Sequence, residues 1–427
     1  MRWQITQGRV IDPASGFDQV ADVIIDGESI CAIGPAPDGF VADKCVDAQG
    51  QIVAPGLVDL AARLREPGAK QKGTILSETR AAAAGGVTTL CCPPDTHPVI
   101  DTPAVVELIH QRAEQAGFCQ VHCLGALTVG LQGEMLSEMA ALRQIGCRGV
   151  SNGLEPIVNT LILRRALEYA STCGLTVFLH PEDPWFHSPG GVHEGPLSTR
   201  LGLPGIPAVS ETIALGRYLQ LIELTGVRAH FCRLSTARGA AMIAEAQARG
   251  LPISADVCAH QLHMTDTDIG DYNPAFHTRP PLRTTADRDG LRAAVKAGTL
   301  NAICSDHQPH DIDAKTAPFA LTEPGISALE TLLPLSLDLV GNGVADLRTI
   351  LSAITDQPAD ILGINAGRLQ IGAAADICVF DPNRTWRLDA DTMLSKGRNT
   401  PLLGRELRGR VTHTFLRGQL VYALSKD

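Results

Sequence analysis

Ionisable side chains stand in four short clusters, and each cluster directly follows an apolar run of the sequence. The clusters lie at residues 59–63, 180–183, 230–233 and 305–307. Histidine and carboxylate side chains bind metal ions and transfer protons, so the clusters are candidates for hydrolytic chemistry. The alternative is that these side chains only hydrate the ends of buried strands. We expect a polar site where the ends of the four runs meet.

Other catalytic chemistries have little support in the sequence. It contains no Walker A or HExxH motif. The twelve cysteines are scattered through apolar segments without a CxxC pair, which indicates buried free thiols in a reducing compartment. The HxxH spacings of His260 with His263 and of His307 with His310 occur readily by chance among thirteen histidines. His187 and His193 fall in a glycine-rich segment that we interpret as an exposed loop.

The middle of the chain alternates between short apolar runs and helix-like segments. The runs are 57–60, 87–91, 119–124, 149–151, 175–179, 227–232, 252–257 and 301–304. The helix-like segments include 74–84, 103–116, 161–172, 210–224, 237–249 and 287–297. This pattern predicts an α/β fold, a TIM (β/α)8 barrel, in which the carboxyl ends of the strands form the site. A doubly wound sheet is the alternative, but no GxGxxG follows a strand.

Both ends of the chain read as short strands joined by turns. Near the N-terminus, Gly8 marks a predicted turn and Asp26-Gly27 a hairpin; near the C-terminus, Asp381-Pro382 marks a predicted strand end. We therefore predict a small β-sandwich domain formed by both termini, residues 1–53 and 346–427, around a barrel at 54–345.

Composition excludes several classes of partner. The net charge is −10, the pI is about 5.7 and aromatic residues make up 4% of the chain, so nucleic acid and anionic membranes are disfavoured. The N-terminus has no signal-peptide pattern, and no apolar stretch is long enough to span a membrane. We expect a cytoplasmic protein with no membrane association.

A series of motifs in the same order resembles the dihydroorotase branch of the amidohydrolase family. The motifs stand at 55–59, 64–68, 82–89, 180–183, 202–207, 280–283, 306–310 and 399–401. The resemblance runs nearly end to end and implies an amidohydrolase-type barrel. In that family, a binuclear zinc site activates water to open or close the dihydroorotate ring.

The resemblance also implies that metal ligands have been lost on the first strand. Two histidines in an HxH pair bind zinc in the family, because strand residues two apart face the same way. The corresponding positions are Ala61 and Arg63. Alanine has no donor atom, and arginine stays protonated and has no free lone pair.

Further ligand positions are changed around the barrel. The fourth-strand ligand position falls at or next to Asn152, and the sixth-strand histidine corresponds to Arg233. His180 and Asp306 remain, the latter being the family's proton acceptor. Two ligands do not hold a catalytic zinc, so we expect no zinc cofactor and only a vestigial site.

The substrate side is altered as well. Arg65 and His310 match residues that meet the substrate carboxylate in the family, and we interpret them as vestigial substrate-binding residues. The family's asparagine after the second strand is Asp95, which would repel an anionic substrate, and the asparagine before Pro-Pro-Leu-Arg is Arg279.

The resemblance implies a pseudoenzyme. Inactive dihydroorotase homologues of this size associate with aspartate carbamoyltransferase, so we expect a structural or assembly subunit of that enzyme in de novo pyrimidine biosynthesis. Its catalytic chain would be the partner, in hetero-oligomers and a homodimer. The alternatives are a divergent cyclic amidohydrolase with a mononuclear centre, with His230 or His307 assisting His180 and Asp306, and a metal-free small-molecule binder that uses the old pocket.

A specific contact follows from these substitutions. Without a metal cation, the carboxylate of Asp306 would be a costly buried charge unless it is paired. Arg63 and Arg233 have entered at two former ligand positions. We predict that at least one of them forms a salt bridge with Asp306 inside the old metal cavity.

Overall fold

Eight parallel strands form the barrel in the computed structural model, which describes residues 1–425. They are β6 (Leu57–Asp59), β7 (Val87–Cys92), β8 (Gln120–Ala126), β9 (Gly149–Ser151), β10 (Thr176–Leu179), β13 (Ala229–Phe231), β14 (Ile253–Cys258) and β15 (Ala302–Cys304). Each strand pairs with the next in this order, as βα units require. The first and last strands meet just beyond their ends, where the Arg63 amide donates to the His307 carbonyl at 2.9 Å. The predicted TIM barrel is confirmed.

Helices cover the outside of the barrel. They are α1 (Ile75–Ala84), α2 (Pro103–Ala116), α3 (Met139–Gln144), α4 (Thr160–Thr172), α5 (Pro196–Leu201), α6 (Val209–Thr225), α7 (Ala237–Ala248), α8 (Thr285–Lys296), α9 (Leu332–Gly341), α10 (Leu347–Ser352) and α11 (Asp356–Leu362). Local signals explain several ends: Thr74 and Ser77 form a capping box before α1, and α2 begins at Pro103 and ends at the left-handed Gly117. No helix within residues 1–425 is long and apolar enough to cross a membrane.

Strands from both ends of the chain lie in one further eight-stranded sheet. They are β1 (Arg2–Asp12), β2 (Phe17–Asp26), β3 (Ser29–Ile33), β4 (Lys44–Asp47), β5 (Ile52–Pro55), β16 (Ile377–Arg387), β17 (Glu406–Leu416) and β18 (Gln419–Ala423). The join is the antiparallel pair of β5 with β16. The sheet curls over its own core, since the rings of Trp3 and Phe415, from strands three apart in the sheet order, have centroids only 5.2 Å apart. The remaining strands, β11 (Val192–His193) and β12 (Gly205–Ile206), form a small separate sheet at the barrel mouth.

The structure places the predicted domain boundaries differently. Residues 54 and 55 belong to β5 of the terminal sheet, and residues 347–362 form α10 and α11 rather than strands. These helices close the bottom of the barrel, where the Val58 amide donates to the Ile354 carbonyl and the Ile303 amide to the Ala353 carbonyl, both at 2.9 Å. The barrel therefore continues past 345. The predicted end of the β unit at 427 lies outside the described residues.

Two predicted interruptions of the terminal strands are wrong. Gly8 does not turn the chain; β1 continues through it with a register shift between Ile5 and Gly8, and a Cβ there would lie 2.5 Å from the Val53 side chain. Pro382 does not end β16. It lies between Asp381 and Thr385, where the pairing of β16 with β17 is irregular, so its missing amide proton interrupts no regular hydrogen bond.

Candidate functional site

The candidate site is built by the turns that follow the barrel strands at their carboxyl ends. Arg65, Arg233 and Asp306 follow β6, β13 and β15, and their φ angles are 60°, 59° and 45°. Left-handed backbone is uncommon for residues other than glycine and is concentrated at functional sites. The turns thus have the constrained geometry of an active site, although the side chains they carry are unusual for one.

Two guanidinium groups hold one carboxylate at the centre of this mouth. Arg63 Nη1 and Arg233 Nη1 donate to the same oxygen, Asp306 Oδ1, at 3.0 and 3.2 Å. Gln308 Nε2 donates to the other oxygen at 2.9 Å. Burial alone would raise the pKa of Asp306, but Arg233 and Arg63 outweigh it and lower the pKa. The predicted salt bridge is confirmed, and both arginines form it.

A second carboxylate extends the network. Arg63 Nε donates to Asp95 Oδ2 at 2.7 Å. Burial would raise the pKa of Asp95, but the arginines, chiefly Arg63, lower it. We call Arg63, Asp95, Arg233 and Asp306 the arginine–aspartate cluster. Asp95, which replaces the family's asparagine, thus neutralises an arginine that replaces a metal ligand.

His180 lies at the mouth but is tied to a carboxylate that sequence reasoning missed. His180 Nε2 and Glu182 Oε2 are 3.1 Å apart, and Arg279 Nε donates to the same Glu182 oxygen at 2.9 Å. His187 is an exposed loop residue, as predicted, and its Nδ1 lies 2.7 Å from Glu182 Oε1. His193, by contrast, is half-buried in β11, and its Nδ1 lies 3.1 Å from Arg283 Nη1. Arg279 was the available signal in the sequence, since a partly buried guanidinium usually needs an acidic partner nearby.

The remaining former ligand positions offer no free donor atom for a metal. Asn152 Oδ1 accepts from Thr128 Oγ1 at 2.7 Å, and its Nδ2 donates to the carbonyls of Leu131 and Glu155 at 3.1 and 2.8 Å. Ala61 packs into the apolar core of the barrel. With arginines at 63 and 233, these side chains do not fit a binuclear zinc centre.

The predicted substrate-binding residues do come together. Arg65 Nη2 lies 3.1 Å from His310 Nε2, and Arg65 Nε donates to the Pro309 carbonyl at 3.0 Å. Burial, assisted by Arg63, lowers the pKa of Arg65 to about 10. Arg63, Arg65 and Asp95 line a cavity of about 90 Å³, much smaller than an ordinary substrate pocket.

Two loops that follow barrel strands contact each other near the barrel mouth. We call residues 182–195 and 311–323 the mouth loops. They touch at Gly190, where a Cβ would lie 2.3 Å from the Ala320 Cα atom. The pair of β11 and β12 anchors the first loop, and Arg283 Nη1 donates to the Ile206 carbonyl at 2.6 Å.

One group of metal-capable side chains lies deeper in the barrel. The potential ligand atoms of His230, Cys232 and Asp256 all lie within 4.8 Å of one another. His230 Nε2 already contacts Asp256 Oδ2 at 2.9 Å, and His230 Nδ1 lies 2.8 Å from Ser254 Oγ. His307, the other histidine considered as a helper, lies 2.8 Å from Glu78 Oε2, away from the cluster.

Comparison with known proteins relates the chain to one family along its whole length. Residues 50–238 match the family model described as dihydro-orotase-like, and residues 207–421 match that of the amidohydrolase family. A "Dihydroorotase-like protein" of Pseudomonas aeruginosa is 53% identical over 99% of this chain and 100% of the relative. One from Pseudomonas putida is 51% identical over 99% of both chains, and a "Dihydroorotase" of Geobacter sp. is 40% identical over 99% of both.

Solved structures agree on the fold. The L-hydantoinase (dihydropyrimidinase) of Arthrobacter aurescens superposes with a TM-score of 0.88 over 99% of this chain and 97% of its own, at 22% identity. The dihydropyrimidinase of Brevibacillus agri gives 0.83 over 98% and 95%, at 21% identity. At these identities the likeness establishes the architecture alone.

Proposed function

The chain belongs to the dihydroorotase-like proteins of the amidohydrolase family, and we propose that within this family it is a non-catalytic member. In this proposal it is a structural or assembly subunit for the catalytic chain of aspartate carbamoyltransferase in de novo pyrimidine biosynthesis. It acts in the cytoplasm, as a dimer and in hetero-oligomers with that chain, and binds no zinc at the barrel mouth.

The observation that carries the loss of catalysis is the pairing of Arg63 and Arg233 with Asp306. In the family this carboxylate takes the proton from metal-bound water, so it must be free to accept one. Here Asp306 Oδ1 is held by two guanidiniums and Oδ2 by Gln308. The lowered pKa of Asp306 makes it a weak proton acceptor. A zinc dication would also be repelled by both arginines.

The polar contacts of the neighbouring residues support the same proposal. Glu182 and Asn152 are held by hydrogen bonds within the chain, and Asp95 is paired with Arg63. These contacts stabilise the barrel mouth without a metal. The site therefore has a structural explanation that does not require turnover.

The assembly role rests on the resemblance rather than on a contact. Inactive homologues of this size associate with aspartate carbamoyltransferase, and the two most similar relatives described above are named dihydroorotase-like. The motifs at 202–207 and 280–283 contact each other, because Arg283 Nη1 donates a hydrogen bond to the Ile206 carbonyl. These motifs therefore have a structural role in the fold. Retention of the fold alongside substitution of the ligands is what a scaffold would need.

A divergent amidohydrolase with a mononuclear centre is the second candidate. The observation that favours it is the close group of His230, Cys232 and Asp256, which supplies three ligand types that suit zinc. Against it, His230 and Asp256 are almost completely buried, and burial raises the pKa of the Cys232 thiol well above its usual range. Both oxygens of Asp256 are also already bonded, one to His230 and the other to the Arg233 amide.

The experiment that tests the proposal is co-expression of this chain with the transferase catalytic chain of the same organism. Purification through a tag on this chain should recover transferase activity but no turnover of dihydroorotate or carbamoyl aspartate, with or without added zinc. The dihydroorotase of Geobacter, assayed in parallel, is the positive control for turnover. Zinc-dependent turnover by this chain would favour the second candidate and overturn the first.

A further inference from the structure

A patch of exposed apolar side chains lies on the outside of the barrel, beside its mouth. Its members have exposed fractions between 38% and 83%; they are Val158, Leu161, Trp185, Phe186, Val209 and Ile213. We call these six residues the α4–α6 patch. Trp185, at 83%, is the most exposed large apolar side chain within residues 1–425. Because tryptophan is costly to leave in water and is enriched at the centres of protein interfaces, the patch is a candidate contact surface.

Hydrogen bonds between the elements make the patch continuous. Val209, Ile213 and Arg217 are four residues apart on α6, so they lie on one face of that helix. Arg217 Nη2 donates to the carbonyls of Ile157 and Val158, both at 2.9 Å. This contact holds the exposed row of α6 alongside the start of α4.

The loop that carries Trp185 and Phe186 joins the same surface. The Asp183 amide donates to the Ser210 carbonyl at 3.1 Å, directly beside Val209. The Trp185 amide then donates to Asp183 Oδ1 at 3.0 Å, which fixes the start of the exposed pair. Three separate parts of the chain therefore contribute to one apolar surface.

The size of the patch matches the centre of a protein interface. The largest apolar patch on a typical monomer covers about 300–600 Å², and six large side chains with these exposed fractions reach the upper part of that range. A specific dimer buries about 800 Å² on each partner, with an apolar centre inside a polar rim. The α4–α6 patch has the extent of such a centre.

Opposite charges lie at the two ends of the row of residues that enters α4. Glu155 precedes Val158 by three residues, and Arg165 follows Leu161 by one helical turn, on the same face of the helix. Both side chains are exposed, and neither has an ion pair or a side-chain hydrogen bond within residues 1–425. A two-fold axis through the middle of the row brings Glu155 of one copy to Arg165 of the other. The row is thus complementary in charge to itself.

We propose that the α4–α6 patch binds a second copy of this chain in a two-fold symmetric dimer. The apolar side chains of both copies form the centre of the interface, and Glu155 of each copy pairs with Arg165 of the other at the rim. This inference gives a surface to the dimer of the proposed function. It does not rest on the assembly role, because both sides of the contact belong to this chain.

Sedimentation equilibrium of the purified full chain tests this proposal. The unmodified chain should sediment at twice the chain mass of 45.2 kDa at micromolar concentration. Ile213→Asp places a charge in the apolar centre and should weaken the dimer about 100-fold or more. The matched control is Ile371→Asp, which changes an isoleucine that is 64% exposed outside the patch and should leave the dimer intact. A monomeric unmodified chain, or a dimer that Ile213→Asp leaves unchanged, overturns the proposal.

Charge reversal tests the two-fold arrangement. Glu155→Arg and Arg165→Glu should each weaken the dimer about tenfold, because like charges then meet at both ends of the row, and the double variant should restore it. Both positions are exposed, so the fold should be unaffected. A double variant that dimerises no better than the weaker single variant overturns the arrangement.

Co-sedimentation with the transferase catalytic chain separates this proposal from the assembly role. A monomeric Ile213→Asp variant that still sediments with the transferase supports the dimer surface and the assembly role together. A monomeric Ile213→Asp variant that no longer does so supports the dimer surface and makes assembly depend on it. If the unmodified chain is a monomer and Ile213→Asp abolishes only the complex with the transferase, the patch belongs to that partner and the proposal of a second copy is overturned.

Discussion

At the scale of single residues, the barrel mouth is organised by buried charge pairs. A zinc dication offsets nearby carboxylates in the family, and the guanidiniums of Arg63 and Arg233 offset Asp306 and Asp95 here. The residues at these positions depend on one another, because without Arg63 the Asp95 carboxylate would have no counter-charge. Substituting one member should therefore lower the free energy of unfolding by more than an exposed ion pair contributes.

Asp306→Asn tests that dependence. The amide keeps the shape but leaves two buried arginines without their shared counter-charge, so the free energy of unfolding should fall by about 3–5 kcal/mol. The control is Glu168→Gln, which breaks the half-exposed Arg164–Glu168 pair and should change stability by less than about 1 kcal/mol. Urea denaturation measures both. An unchanged midpoint for Asp306→Asn would show that the carboxylate needs no partner.

Restoring histidines to the first strand should not restore an enzyme. The double variant Ala61→His, Arg63→His still has Arg233 at the sixth-strand position, and Asn152 is still held by three hydrogen bonds. We expect no stoichiometric zinc by elemental analysis after dialysis and no dihydroorotate turnover. Turnover by this double variant would mean that the other positions are less damaged than their contacts indicate.

Glu330 should make stability depend on pH. Burial raises its pKa to about 7, against roughly 4.3 in an unfolded chain. The folded state therefore binds the proton more tightly, and this contribution to stability is lost as pH rises from about 4.3 through 7. Glu330→Gln should flatten the fall in urea midpoint between pH 5 and 8, whereas Glu107→Gln, exposed on α2, should not. Identical pH profiles for Glu330→Gln and the unmodified chain would contradict the shift.

Residue types predicted much of the site, but partners were harder to foresee. Arg63 and Arg233 were identified from their positions, because a buried carboxylate must be paired. Glu182 was missed as the partner of His180 and Arg279, since nothing in the local sequence says which strand-end acid meets which arginine. Such pairings depend on how neighbouring strands are placed in three dimensions.

At the scale of elements, the alternation of apolar runs with amphipathic segments predicted the barrel strands and most of the helices between them. It did not predict helices whose sequences lack an amphipathic period. All eight strands appear, and α2 has the predicted bounds, because Pro103 and Gly117 mark its ends. In α9 nearly every position is apolar, so no amphipathic period distinguishes this helix from a buried strand. The short α10 and α11 were assigned to the terminal β unit because only contacts with β6 and β15 reveal their place.

Gly190→Ala tests the packing of the mouth loops. Gly190 has a φ of 68° and lies against the backbone of Ala320, so a methyl group must push the two loops apart. Gly202→Ala is the matched control, with a φ of 63° and no atom within 4 Å. Limited proteolysis should cut residues 182–195 and 311–323 several-fold faster in Gly190→Ala than in the control. Equal rates would show that this contact does not hold the loops.

At the scale of the whole molecule, the chain keeps an amidohydrolase architecture while its mouth is organised around internal ion pairs. The barrel and the terminal sheet are joined by β5, which leads directly into β6. The mouth loops contact each other at Gly190 and Ala320, and the arginine–aspartate cluster pairs side chains that follow four different barrel strands. These contacts within the chain are compatible with the proposed scaffold role.

Sedimentation velocity tests the assembly role most directly. The purified catalytic chain of aspartate carbamoyltransferase from the same organism is run alone, with this chain, and with the Geobacter dihydroorotase as a matched amidohydrolase control. We predict a new, faster boundary that contains both chains, at a fixed ratio, only in the mixture with this chain. If the transferase and this chain sediment as two independent species at micromolar concentration, the proposed function is contradicted.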